Sequence, residues 1–142
     1  MRKKVEDYVA RKIPPPPIAT ALGLTLVRAA DGTAEFEYVA DGRHANPMGT
    51  LHGGILCDLA DTAMGIALAS TLSEGESFTT LDLQIHFLRP VWQAKLTAKG
   101  RIVSRGRTVA MTACDVLDEK QRHIAAVTAT QMILAGEMAT GR

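Results

Sequence analysis

The chain has 142 residues, 46% of them hydrophobic and 22% charged, with a formal net charge of +1. That length suffices for one domain with a real core, and the near-neutral balance gives no general electrostatic case for nucleic acid, although basic residues cluster locally at RKK near the start and at SRGR around Arg105. No uninterrupted apolar stretch reaches the roughly 18 residues that a membrane span requires, and MRKKVEDYVARKIPPPP has no apolar segment of signal-peptide length. Cys57 and Cys114 lack metal-ligand spacing and read as reduced, buried thiols, so a cytoplasmic protein without a bound metal is expected.

In chain order, residues 2–12 read as a short polar helix that stops at IPPPP, because proline cannot donate to the helix ladder. The four prolines read as an extended polyproline lead-in, and residues 1–19 are set apart on that basis. From Leu22 the pattern turns strand-like. LGLTLVRA and TAEFEYVA flank Asp31-Gly32, a hairpin turn signal. Residues 41–52 read as loop. From Gly53 to about Leu72 the sequence predicts a helix apolar on every face, hence central and mostly covered. SEGES breaks it.

Four strands are expected after that break. TLDLQIHF alternates, with Leu81, Leu83, Ile85 and Phe87 on one side and Thr80, Asp82, Gln84 and His86 on the other. KLTAKGRIVS alternates with Lys95, Thr97, Lys99 and Arg101 outward. TVAMTACDVLD and RHIAAVTATQMIL alternate less, as expected of interior strands covered on both faces. The economical fold class is α+β: one curved antiparallel sheet over residues 20–136 wrapped around one central helix, with a frayed tail at 137–142. Such a sheet leaves open edges, so oligomerisation is expected.

The stretch NPMGTLHGGILCDLAD carries the candidate chemistry. A helix N-terminus offers unpaired N–H groups and partial positive charge, and glycine lets a ligand approach, so the amide near Gly53 is a candidate oxyanion donor. The alternative is that Gly53 and Gly54 only permit a tight turn or close packing. Asp61 is a carboxylate inside an apolar helix, costly unless paired. It is either a satisfied structural group, as Asp58 is read, or a general base or nucleophile. Eight residues of helix separate Gly53 from Asp61, roughly 12 Å along the axis. Reacting groups must lie about 3 Å from their partners. One helix therefore cannot easily aim both at one carbonyl carbon, whereas two antiparallel helices across a two-fold axis can.

NPMGTLHGG, the LAD that follows and TTLDLQIHFLRP together resemble the hotdog-fold acyl-CoA thioesterases of the phenylacetate-degradation (PaaI-like) type, over roughly residues 20–134. The resemblance implies hydrolysis of an acyl-CoA to a carboxylate and coenzyme A, with no cofactor beyond the coenzyme carried by the substrate. Asp61 would activate water or attack the carbonyl, and the Gly53 N–H of a partner subunit would polarise the carbonyl oxygen. Asn46 and His52 would position the carbonyl or its bound water, and Thr80 would hold the attacking water. Asn46 also fits a loop-stabilising role, His52 a helix-entrance role, and Thr80 the sheet's polar face. Arg89, Arg105 and Arg107 are candidates for the coenzyme phosphates, or else solvated strand ends. Met64 or Leu68 would line an apolar acyl pocket. A homodimer at least, commonly paired into a tetramer, is implied. A non-catalytic acyl-CoA-binding module is the alternative function, and a hydratase lacks the separate Asp/His pair its chemistry would use.

Overall fold

Asp31 and Gly32 make the first hairpin as a two-residue turn, with φ of +48° and +80°, the left-handed pair that matches strand twist. In a computed structural model describing residues 1–140, this turn joins β1 (Thr25–Ala30) to β2 (Thr33–Ala40). Two helices precede it, α1 (Arg2–Val9) and α2 (Pro17–Leu22). The long helix α3 (Gly53–Ala69) follows, then β3 (Glu76–Phe87), β4 (Ala94–Arg105), β5 (Val109–Asp118) and β6 (His123–Ala135). A 3-10 turn covers Gly136–Ala139; residues 141–142 of the expected frayed tail lie outside the described residues.

The strand order is β1-β2-β4-β5-β6-β3, every neighbouring pair antiparallel. α3 touches all six strands. Six strands side by side span about 24 Å, twice the width of a helix, so the sheet has to curl around α3 for this to happen. Gly100 on β4 sets how closely the two layers approach: a Cβ there would lie 2.5 Å from the Ala63 carbonyl oxygen, in helix backbone that has nowhere to go. Gly65 likewise makes room for the Phe78 ring. Leu59, Ala60, Ala63, Met64 and Ala67 are fully buried against Phe36, Tyr38, Leu96, Ala98 and Val116.

Two expectations are corrected. The last proline, Pro17, does not extend the polyproline lead-in; it occupies the first turn of α2, where its missing N–H costs nothing. Ile18, Ala19, Thr20, Ala21 and Leu22 continue that turn, and left-handed Gly23 caps it, so the first strand starts at Thr25 rather than Leu22. The weak alternation of β5 and β6 does not come from cover on both faces, because outward positions such as Val109, Met111 and Thr128 are exposed. It arises because most outward positions carry small or apolar residues, Val109, Met111, Ala113, Ala126, Thr128, Thr130 and Met132, with Asp115 the charged exception. Finally, α3 is mostly covered as expected, and its less covered positions fall in one place. Gly54, Cys57, Asp58, Asp61, Thr62 and Ile66 recur at helical spacing along a stripe that the sheet leaves partly open.

The two sheet edges differ. β1 is six residues long, carries a bulge between Leu26 and Arg28, and has α1 packed beside it. β3 is twelve residues long and pairs only with β6.

Candidate active site

The site begins where the loop of residues 41–52 turns into α3. His52 is the N-cap, in extended conformation, and its Nδ1 accepts the Gly54 N–H at 2.9 Å. An accepting Nδ1 carries no proton, which places the ring N–H on Nε2. The His52 backbone is itself held, its N–H donating to the His44 carbonyl at 2.9 Å, while His44 Nδ1 meets the Tyr38 hydroxyl at 2.7 Å. With Gly54 satisfied by the cap, the Gly53 N–H is the first amide of the helix without a partner among the described residues. It sits at the positive end of the helix dipole. Gly53 is glycine for a spatial reason: a Cβ there would come within 2.8 Å of Phe87 Cζ.

Asn46 shapes the approach to that amide. Its Oδ1 accepts from the Met48 N–H at 2.9 Å and the Thr50 N–H at 3.2 Å, and its Nδ2 donates to Thr50 Oγ1 at 2.8 Å. The side chain thus builds the turn it belongs to. It also lines a cavity of about 420 Å³ with Thr50, Leu51, Gly53, Leu56 and the segment from Phe87 to Val91. Met64 and Leu68, the residues expected to line an apolar pocket, are instead wholly inside the core and do not line this cavity.

Two turns further along, Asp61 faces the open stripe and meets the sheet. Thr80 Oγ1 donates to Asp61 Oδ1 at 3.0 Å, and Oδ2 has no partner among the described residues. The expected parity of β3 placed Thr80 with Asp82, Gln84 and His86 on the polar face. A bulge reverses it. Thr80 pairs with Gln131 and Asp82 with Thr130, leaving Leu81 unpaired and 58% exposed. Beyond the bulge Leu83 and Ile85 point inward as expected; before it, Thr80 turns to the helix. The sequence carries no mark of that extra residue.

The stripe around Asp61 is electrostatically negative. Burial, and then the Asp61 charge, push the Asp58 carboxyl above its ordinary range. Burial followed by Asp58 and Asp61 pushes the Cys57 thiol up in the same way. No group of three metal-ligating side chains occurs among the described residues. The arginines fall in two places. Arg89 borders the cavity beside Gly53 and an adjoining one of about 300 Å³ that Trp92 and Arg122 also line. Arg105 pairs with Glu76 at 3.2 Å at the far end of β4, and Arg107 lies in the following turn.

The arrangement supplies a free amide beside an apolar cavity and, about 12 Å along the same helix, a hydroxyl-bonded carboxylate. The sequence reading missed two parts of it: the Phe87 ring against Gly53, and Gln131 across from Thr80. Both depend on strand register, which local sequence does not reveal.

Comparison with known proteins agrees with this fold. The family model described as "Thioesterase superfamily" matches residues 48–125. The medium/long-chain acyl-CoA thioesterase YigI of Salmonella typhimurium is 30% identical over 134 residues, covering 82% of this chain and 85% of that protein. Among solved structures, a phenylacetic acid degradation-related protein from Ralstonia eutropha JMP134 superposes with a TM-score of 0.82 at 32% identity, covering 90% of this chain and 98% of that one. A variant of the phenylacetic acid degradation protein PaaI from Thermus thermophilus gives 0.76 at 28% identity, covering 82% and 98%. The buried helix, the six-stranded sheet curled around it and the Gly53–Asp61 pair sit within a chain that belongs to the thioesterase superfamily, a PaaI-like thioester hydrolase with the hotdog fold.

Proposed function

We propose that the protein hydrolyses acyl-CoA thioesters to a carboxylate and coenzyme A at sites shared between two subunits. The observation that carries this reading is the hydrogen bond from Thr80 to Asp61 on the open stripe of α3, with the free Gly53 amide too far along the same helix to serve the same carbonyl. A second copy of the chain, its α3 antiparallel to the first, brings its Gly53 opposite Asp61. The unpaired twelve-residue edge of β3 supplies a matching contact, since two such edges pair without leaving N–H and C=O groups open. Two dimers then associate as a tetramer.

In the hydrolytic step Asp61 takes a proton from water held by the Thr80 hydroxyl, and the water oxygen attacks the thioester carbon. The carbonyl oxygen gains charge and is met by the partner's Gly53 N–H, preorganised at a helix N-terminus. Collapse breaks the C–S bond, and the departing coenzyme A sulfur takes the proton back from Asp61. In the nucleophilic variant Asp61 Oδ2 attacks the carbon itself, the C–S bond breaks to release coenzyme A as thiolate, and water then opens the resulting anhydride to the acid and the Asp61 carboxylate, its released proton ending on the thiolate. His52 holds the helix start and Asn46 the loop against it, so both place the Gly53 amide. The acyl group, aryl or fatty, lies along the cavity of Leu51, Leu56, Phe87 and Leu88. Of the basic candidates Arg89 is the one beside this cavity; Arg105 and Arg107 are assigned to the coenzyme phosphates less directly, from the other end of the sheet.

An acyl-CoA panel assayed for free thiol tests the activity, with Asp61→Asn as the control. Tight calorimetric binding of acyl-CoA with no thiol released would instead favour a non-catalytic binding module. Mixing Asp61→Asn subunits with Gly53→Ala subunits tests the shared site. Random mixing rebuilds about one wild-type site in four; no recovery would exclude it. In a single turnover in labelled water, label entering the Asp61 carboxylate on later hydrolysis distinguishes attack by Asp61 from general-base action.

A further inference from the structure

Gln131 is the most deeply buried polar side chain in the sheet, with no measurable exposure, and neither its Oε1 nor its Nε2 has a hydrogen-bond partner among the described residues. Its neighbours on β6 and β5 that share the inner face are Ala129, Ile133 and Ala110, all buried and apolar. An apolar side chain is what such a position ordinarily holds, because burying an unpaired amide is costly. The cross-strand partner of Gln131 is Thr80, the residue that the β3 bulge turns inward and whose hydroxyl donates to Asp61. Cross-strand partners hold their Cβ atoms about 5 Å apart. A glutamine side chain spans that gap with length to spare, and the Thr80 oxygen still has lone pairs to accept with.

We infer that Gln131 is a positioning residue for the thioester hydrolysis: its carboxamide, unpaired as the side chain stands, donates an N–H to Thr80 Oγ1 through one buried water or after a rotation of the side chain, and so fixes the hydroxyl that Thr80 presents to Asp61. The inference rests on the function proposed above, and it adds to the site a third element, β6, that the Asp61–Thr80 pair does not require. A hydroxyl that also accepts a bond from Gln131 has one rotamer and one proton direction left, toward Asp61 Oδ1. Without Gln131 the hydroxyl rotates, and the water it holds loses its line to the acyl carbon. The effect falls on kcat rather than on substrate binding, because Gln131 lies beneath the helix and lines no described cavity.

Gln131→Leu removes the amide at nearly constant volume. The expected result pairs opposite signs. The melting temperature stays level or rises, because the side-chain Oε1, which the bond to Thr80 leaves unpaired, has gone from the core, while kcat falls roughly tenfold with KM changed less than about twofold. In a Thr80→Val background the same substitution costs almost nothing further in kcat, since the hydroxyl it served is already absent. An unchanged kcat, a full second loss on top of Thr80→Val, or a fall in kcat that tracks a fall in melting temperature each overturns the inference. Should Gln131→Leu not fold, Gln131→Met repeats the measurement with a flexible side chain. A readout independent of turnover separates this inference from the function itself. In the 15N-labelled protein the Gln131 side-chain amide should show contacts to the Thr80 hydroxyl or to a long-lived water, lost in Thr80→Val. Absence of both contacts overturns the positioning role even in an active enzyme. If the contacts are present and no acyl-CoA is cleaved, the positioning geometry stands and the proposed function fails.

Discussion

The two halves of the site are built by different means. The donor half, His44 to Gly54, is one continuous segment whose bonds are nearly all internal: Asn46 to Met48 and Thr50, His52 to His44 and Gly54. The carboxylate half takes Asp61 from α3, Thr80 from the next element, β3, and Gln131 from the distant β6. The donor half offers backbone, which substitution alters only indirectly. The carboxylate half offers side chains, each removable alone. A continuous segment tolerates small shifts of the sheet beneath it, whereas a triad drawn from three elements moves with every change of register. Catalysis should therefore be fragile at the carboxylate half, and stability should be more sensitive at the donor half.

Asp61→Asn tests this most severely. It keeps the shape and removes the carboxylate proposed as base, and general-base roles contribute about 10²–10⁴-fold. We expect kcat for acyl-CoA to fall in that range with the fold and the thermal midpoint nearly kept; retention of more than a tenth of the activity would contradict the assignment. Thr80→Val comes next. A hydrogen bond to a charged group contributes about 1.5–3 kcal/mol, so kcat should fall roughly ten- to a hundredfold, again with little change in melting. If steady-state kinetics show the loss in KM instead, Thr80 is holding substrate rather than water.

The same contrast explains what was legible beforehand. Gly53, the loop before it and the long helix follow from spacing and residue type within a short window, and the structure places them as read. The pairing of β1 with β2 followed from Asp31-Gly32 alone. What was not legible lay wherever one residue changes parity or packing at a distance. The Leu81 bulge leaves no local signature, because Leu81 is apolar and TLDLQIHF alternates without a gap. Unbroken alternation placed Thr80 outward and Leu81 inward, and the register of β6 decided otherwise. Gln131 likewise sits in RHIAAVTATQMIL as one polar residue among several, and only the pairing with Thr80 singles it out. The open stripe on α3 was only half legible: Asp58, Asp61 and Thr62 mark it in sequence, but Gly54, Cys57 and Ile66, apolar or small, do not show how far it runs.

On the donor half, His52 sharpens the comparison through stability. Removing an N-cap acceptor costs typically about 1 kcal/mol. His52→Ala should lower the thermal midpoint by that measure, while His52→Asn, a good capping residue, should keep it. If catalysis follows the cap, His52→Asn retains most of the activity of the parent and His52→Ala does not. Equal activity loss in both variants, with stability kept only in the first, would show that Nε2 of His52 touches the substrate directly.

The smallest effect concerns Asp58, which lies one turn before Asp61 on the open stripe. Burial and the Asp61 charge raise its carboxyl above the ordinary value of 3.8. A group whose folded-state value is raised binds its proton more tightly in the folded chain than in the unfolded one. Its ionisation therefore weakens the fold, and this cost is absent below the unfolded value and appears as pH rises through the raised one. Asp58→Asn removes the charge and with it the cost. The variant should match the parent in acid and be slightly more stable at neutral pH, the gap opening as pH climbs above the carboxylate range. Paired thermal melts at pH 3 to 7 read this directly. The gap should narrow in a background of Asp61→Asn, because part of the strain on Asp58 is the charge of Asp61. A gap of the opposite sign would mean that ionised Asp58 is matched by a positive group in the assembled protein, and the stripe would then have to be covered by something other than a second, equally acidic α3.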